Sequence, residues 1–228
     1  MKRYLLLLSI LVSIVMSVGN FINATTNEAK SAVKAEIEVK FFVSKESFEN
    51  CLKQLGAAIK TPRRLMRRQL FAFPPTLRKE NLEQQARVRD EGNCITMTLK
   101  ESAVPRTMSS VQELEIKIDN FDAAVQIFSM SGYVPTTYQE NYRTSWAFEN
   151  CSIEIDEWPG LSVYAEIEAP SEEELKRVAQ LLEIEETSFM CCSVFDLYAT
   201  ALGVDAKRIS SVQSLTFENF QEVFKTLK

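Results

Sequence analysis

Residues 33–43 read VKAEIEVKFFV, and the pentapeptide Glu36-Ile37-Glu38-Val39-Lys40 within them decides the architecture. Charged side chains occupy positions 36, 38 and 40, while Ile37, Val39, Phe41 and Val43 fill the alternate positions. A period of two over this length is a β-strand with one charged and one apolar face. Ser44 then suits a helix N-cap, Phe48, Cys51, Leu52 and Leu55 form a helical apolar stripe, and Gly56 suits the stop.

The same design returns about 77 residues later. Glu113, Glu115 and Lys117 alternate with Leu114, Ile116 and Ile118; Asn120 can cap, Ala124, Val125 and Phe128 form the stripe, and Gly132 ends it. Residues 67–73 (RRQLFAF) match 143–149 (RTSWAFE), 87–91 match 153–157, and 96–101 match 164–169 loosely. A strand–helix–three-strand unit is therefore duplicated, and the alignment sets Arg67 in the place of Arg143. Two such units predict an α+β fold built on an antiparallel β-barrel or tunnel of about eight strands, since closure removes exposed edges. Pro74, Pro75, Gly92 and Pro105 fall where turns are needed.

Beyond residue 169 the pattern turns helical. Ser171 and Glu174 have capping-box spacing ahead of Leu175, Val178, Leu181 and Leu182. A second helix spans 194–202 before Gly203, and the tail from 209 to 227 reads as strand or loop followed by a short helix. These elements are expected to pack on the sheet. The organisation is thus a signal peptide or N-terminal anchor (1–24), a linker (25–32), the tunnel domain (33–170) and a C-terminal helical region (171–228). Lys2 and Arg3 ahead of an apolar run at 4–18 carry the first assignment. The run is short for a spanning helix. An exported or membrane-anchored globular part is expected, or a cytoplasmic one if the segment is no signal.

Composition narrows the chemistry. The chain has no histidine, which removes Ser-His-Asp and Cys-His catalysis and HExxH zinc sites. Acid–base work falls to Asp, Glu, Lys, Tyr or metal-bound water. Net charge is −5, giving no general attraction for nucleic acid. Cys51, Cys94, Cys151, Cys191 and Cys192 form no C-x-x-C pair, and the last two read as helix-packing residues.

The charged strand faces carry the functional signal. They hold Glu36, Glu38 and Lys40; Arg87 and Arg89; Thr96, Thr98 and Lys100; Glu113, Glu115 and Lys117; Arg143 and Ser145; Glu154 and Asp156; and Ser162, Tyr164, Glu166 and Glu168. One reading is a sheet with one face in water. Against it, carboxylates at i and i+2 stand about 6–7 Å apart and repel by roughly 2–3 kcal/mol at an effective dielectric near 20. A wet sheet would instead alternate signs. The helices also need the apolar face, which leaves the charges inside. A lining of Arg, Lys and Glu requires partners, and a metal–polyphosphate ligand would supply them to both signs.

These residues resemble the CYTH superfamily, the triphosphate tunnel metalloenzymes that include class IV adenylate cyclases and thiamine triphosphatase. The hallmark E-x-E-x-K strand is residues 36–40, followed in family order by Arg87-Val88-Arg89, Thr98-Leu99-Lys100, Glu113-Leu114-Glu115, Tyr142-Arg143, Ile155-Asp156-Glu157-Trp158-Pro159-Gly160 and Glu166-Ile167-Glu168. The resemblance implies Mg²⁺ or Mn²⁺ on Glu36, Glu38, Glu166 and Glu168, with Asp156 an added acid near the metal. It implies triphosphate ligands at Lys40, Arg87, Arg89, Lys100 and Arg143, with catalysis centred on Glu36, Glu38, Lys40 and Asp156. Glu113 and Glu115 become mid-tunnel acids, and Arg67 is a further phosphate candidate through its place opposite Arg143 in the duplication.

The implied activity is metal-dependent hydrolysis of inorganic tripolyphosphate or an organic triphosphate such as ATP or thiamine triphosphate. A class IV adenylate cyclase is the alternative, disfavoured because residues 63–82 mark no adenine pocket. A non-catalytic polyphosphate- or nucleotide-binding module is the third. The expected partner is a small triphosphate, with membrane contact only through the N-terminal segment, in a monomer or homodimer.

Overall fold

The computed structural model describes residues 33–227; the segments 1–24 and 25–32, expected as signal or anchor and as linker, lie outside them. Ala35–Lys228 forms one compact unit. The duplication is visible in the order of elements. The first half is β1 (Lys34–Phe42), α1 (Lys45–Gln54), β2 (Ala58–Ala72), β3 (Leu82–Asp90) and β4 (Ile95–Ala103). The second is β5 (Val111–Ile118), α2 (Phe121–Met130), β6 (Val134–Phe148), β7 (Cys151–Glu157) and β8 (Tyr164–Ala169). After it come α3 (Glu172–Leu181), α4 (Val194–Leu202), α5 (Ala206–Ser210), β9 (Ser214–Leu215) and α6 (Phe220–Leu227).

The strands run in the order β2-β3-β4-β5-β1-β8-β7-β6, and β2 pairs with β6 to close an eight-stranded antiparallel barrel; β9 adds to β6 in parallel. Both closing strands are 15 residues long. The C-terminal part of β1 is completed on its other edge by irregular backbone: the Glu38 amide donates to the Met108 carbonyl at 3.0 Å, and Lys40 and Met190 exchange two bonds. Cys191 and Cys192 follow Met190 in this extended segment, ahead of α4 rather than on a helix. All five cysteines are free.

Alternation sets which side of each strand faces out, and the helices cover that side. α1 brings Phe48 and Leu52, and α3 brings Leu175 and Val178, onto Val39, Phe41, Trp146, Ile153 and Ile167. α2 lays Ala124 and Phe128 on Phe71, Ala86 and Val88 of β2 and β3. Local signals set the helix ends. Asn120 accepts the Ala123 amide at 2.9 Å, Ser171 accepts that of Glu174 at 3.1 Å, and Ser193 with Asp196 forms a complete capping box on α4. Ser44 makes no capping bond, and the Glu174 carboxylate binds Arg177 rather than closing a box.

A third cluster lies where β7 and β8 join. Trp158 and Tyr164 continue the inward alternation of Asp156 and Glu166, yet they are buried among Leu197, Tyr198, Ile209, Leu215 and Leu227. The Tyr198 hydroxyl donates to the Pro159 carbonyl at 2.8 Å. The α4–α6 region therefore covers this end of the barrel, while α3 packs on the side wall.

Gly160 makes that closure sterically demanding. Its φ is +71°, and an added Cβ would press on the Phe224 ring and stand 2.9 Å from Phe220 Cδ2. Gly203 also has positive φ (+68°), but open space surrounds it. Gly160→Ala is expected to lower stability by about 2–3 kcal/mol through overpacking plus backbone strain, and Gly203→Ala by only about 1 kcal/mol. Urea denaturation of the two variants checks this; equal midpoint shifts would show that the aromatic contact carries no energy.

Candidate functional site

The inward face of the barrel is charged along nearly its whole circuit. Ladder registers set Glu38 opposite Glu168, Lys40 opposite Glu166, Thr98 opposite Arg87 and Glu115, Lys100 opposite Glu113, and Arg143 opposite Asp156. Every expected site residue in the two E-x-E-x-K strands, the R-x-R strand, the T-x-K strand and the E-x-E strand shares this interior. The charges are segregated, with carboxylates crowded at one part of the lining and guanidiniums at another.

In the acidic part, Lys100 Nζ stands 2.5 Å from Glu36 and 3.4 Å from Glu113, and Lys40 Nζ stands 2.9 Å from Glu38 and 3.3 Å from Glu166. Burial, with Glu113 and Glu38 as neighbours, pushes the Glu36 carboxyl up to about 8 despite Lys100. Glu113 is held down at about 2: burial opposes its charge, but Arg87 and Lys100 outweigh burial. Glu38 and Glu166 are strongly desolvated, yet they lie below the usual carboxylate range because Lys40, Lys100 and Arg143 together outweigh that burial. Glu168 is raised by partial desolvation and by Glu38, Glu113 and Glu166. Among the described residues no three acids already stand as a metal-holding cluster.

The basic part gathers Arg68, Arg87, Arg89 and Arg143. Arg143 is largely enclosed and tied to Asp156 (2.7 and 2.5 Å) and Glu166 (2.8 Å). Asp156, with no exposed surface, also accepts from Asn141 Nδ2 at 2.8 Å, so both of its oxygens are engaged. Arg87 sits 3.4 Å from Glu113 and 3.5 Å from Glu115, and Arg89 sits 2.5 Å from Glu91. Arg68 has no carboxylate partner among the described residues; it donates to Asn141 Oδ1 and lies 4.7 Å over the Trp158 ring. Burial, then Arg89, Arg87 and Arg143, bring its guanidinium down to about 9.

Arg67, expected as a phosphate ligand, is instead outside. It is half exposed and bound to Asp90 at 2.5 Å. The inward residues of β2 are offset by one from a correspondence of Arg67 with Arg143, and in a strand a one-residue offset moves a side chain to the opposite face. β2 carries register shifts at Ile59/Thr61, Thr61/Arg64 and Gln69/Phe71, so alternation cannot be propagated along it. Arg64, across the ladder from Arg143, and Arg68, across from Gln139 and Arg89, are the inward residues. Asn141, Glu91 and Glu154 also join the interior network. Arg64 Nη1 donates to Ser145 at 3.0 Å, and Ser145 donates to Glu154 at 2.5 Å. Once Arg143 is taken as inward, alternation along β6 alone selects Asn141.

The residues present fit an anion and a hard cation together. Arg68, Arg87 and Arg89 each leave a buried Nε without a hydrogen-bond acceptor, which is costly unless a ligand supplies one. Glu36 and Glu168 are pushed toward protonation first by burial and then by neighbouring acids, and a bound cation would stabilise their charged forms. Oxygen donors alone suit Mg²⁺ or Mn²⁺, and one or two carboxylates suffice when phosphate completes the shell.

The chain matches the CYTH domain family over residues 34–190. No curated protein sequence matches it. Among solved structures it is similar to a conserved hypothetical protein from Pyrococcus furiosus, with a TM-score of 0.60, 20% identity, and coverage of 72% of this chain and 99% of that one. A protein from Pyrococcus horikoshii gives a TM-score of 0.59 at 22% identity, covering 71% and 98%. A candidate adenylate cyclase from Vibrio parahaemolyticus gives 0.59 at 17% identity, covering 73% and 98%. Both the matched span, which is most of the chain, and the closed barrel with its charged interior make this protein a member of the CYTH domain family.

Proposed function

We propose that the protein is a divalent-metal-dependent triphosphatase acting on inorganic tripolyphosphate or an organic triphosphate. The observation that carries this reading is the set of three arginines, Arg68, Arg87 and Arg89, whose buried Nε atoms lack a partner, beside a crowd of carboxylates. A polyphosphate accepts from the first, and its cation occupies the second.

In this reading Arg68, Arg87, Arg89 and Arg143, with Lys40 and Lys100, bind the phosphate chain. Guanidiniums fixed by Asp156, Asn141 and Glu113 neutralise charge that develops on the phosphoryl oxygens without having to reorganise. Glu36, Glu38, Glu166 and Glu168 would hold the cation, which when bound would supply Lewis acidity toward those oxygens. Lys40 pairs with Glu38 and Glu166, and Lys100 with Glu36 and Glu113, so a cation held by Glu36, Glu38 and Glu166 would compete for those carboxylates and leave both ammonium groups available to phosphate. Asp156 acts by holding Arg143, both of its oxygens being engaged. Hydrolysis is favoured over cyclisation because the inward aromatics Trp158 and Tyr164 are packed into the C-terminal cluster and are not free to stack an adenine.

Phosphorus NMR of tripolyphosphate and of ATP, each incubated with the protein and Mg²⁺ or Mn²⁺, tests the reading. Orthophosphate is expected from both, accompanied by pyrophosphate from tripolyphosphate and by ADP from ATP. Pyrophosphate with cyclic AMP would replace it with a cyclase, and tight binding without turnover would leave a binding module. Excess EDTA is expected to abolish turnover and added metal to restore it. Glu38→Ala should reduce turnover by about 100-fold or more. A sharper comparison uses neighbouring arginines: Arg68→Met should cut turnover by about 100-fold, whereas Arg67→Met should change it by no more than about twofold. Equal losses would mean that β2 does not present Arg68 to the substrate.

A further inference from the structure

Asn141 sits on β6 with no exposed surface and with its side chain inside the barrel. Its Oδ1 accepts from Arg68, and its Nδ2 donates to Asp156 Oδ1 at 2.8 Å and, more weakly, to the Tyr142 carbonyl at 3.3 Å. Asp156 in turn holds Arg143 through both oxygens. One amide therefore links a guanidinium that has a carboxylate partner to one that has none.

We propose that Asn141 is a positioning residue that orients Arg68 toward the substrate while leaving its positive charge uncompensated. The inference rests on the polyphosphate reading of the tunnel. Its physical basis is the chemistry of the amide group. A carboxamide accepts from a guanidinium and donates to a carboxylate at the same time, and it carries no charge. A carboxylate at 141 would accept from Arg68 but would neutralise it, and it would meet Asp156 with no proton to donate. A purely apolar residue would leave both Arg68 and one lone pair of Asp156 unsatisfied. The remaining contact of Arg68, the face of Trp158 at 4.7 Å, also favours a cation without cancelling it. Two neutral groups thus fix the direction of the side chain, and its Nε stays without an acceptor.

The test is calorimetric titration of the full-length protein with tripolyphosphate at constant ionic strength, together with a double-mutant cycle. Asn141→Asp should weaken binding by at least about 10-fold, as Arg68→Met should, and the double variant should bind within about twofold of Arg68→Met alone. A structural role would instead add its loss to that of Arg68→Met. Asn141→Leu, of similar size and able neither to accept nor to donate, breaks the bridge without adding charge; it should weaken binding less than Asn141→Asp and should also add nothing in the Arg68→Met background. It keeps the cycle readable if the aspartate variant does not fold. Wild-type binding with an unaffected Asn141→Asp, or additive losses with either variant, overturns the role of Asn141. Absence of tripolyphosphate binding by the wild-type protein overturns the polyphosphate reading, and the role of Asn141 with it.

Discussion

The pairing of β2 with β6 is the constraint on which the rest of the molecule depends. The duplicated halves interleave, with β5 beside β4 and β1 between β5 and β8. Without the β2–β6 ladder the eight strands form one open run with two unpaired edges, and β2 and β6, each 15 residues long, are the strands that close it. Once the ladder closes, every strand has an inside and an outside. The outside takes the apolar alternate residues, because α1, α2 and α3 can cover only that surface. The charged residues have nowhere else to go. Enclosing them is unfavourable taken residue by residue, and the arrangement holds because nearly every buried charge has an opposite one within reach.

The exceptions give the interior its chemistry. Asp156, fully buried, holds the largely enclosed Arg143 in a bidentate pair that behaves as a fixed part of the wall. Arg68 lies close to that pair but receives only an amide oxygen and an aromatic face. At the other part of the lining, Lys40 and Lys100 are shared among several carboxylates, and burial, then neighbouring acids, drive Glu36 and Glu168 up. The barrel is therefore short of negative charge in one place and of positive charge in another. A metal–polyphosphate ligand brings both signs in one body, which no single ion does.

The C-terminal elements add a boundary. Trp158 and Tyr164 occupy inward positions, yet α4, β9 and α6 take them into an apolar cluster. The charged lining ends at Asp156, Arg143 and Glu166 for this reason, and Gly160 permits the close approach of Phe220 and Phe224 that seals the turn. The family match stops at residue 190, so α4–α6 are built from residues beyond it.

Strand alternation was sufficient to read most of this from the amino-acid order. Side-chain direction in a regular strand follows parity, so Glu36, Glu38 and Lys40, or Arg87 and Arg89, share a face whatever the partner strand is. The repeated unit then required about eight strands and, with helices on the apolar side, an enclosed charged face. Parity fails where a strand is irregular. β2 has three register shifts, and only its pairing with β3 and β6 decides that Arg64 and Arg68 face inward while Arg67 turns out to Asp90. Asn141 is equally silent in one dimension, because its role comes from joining Arg68 and Asp156, residues 73 and 15 positions away. Local pattern determined which residues share a face; closure of the barrel decided which of them meet, because that depends on register between strands distant in the chain.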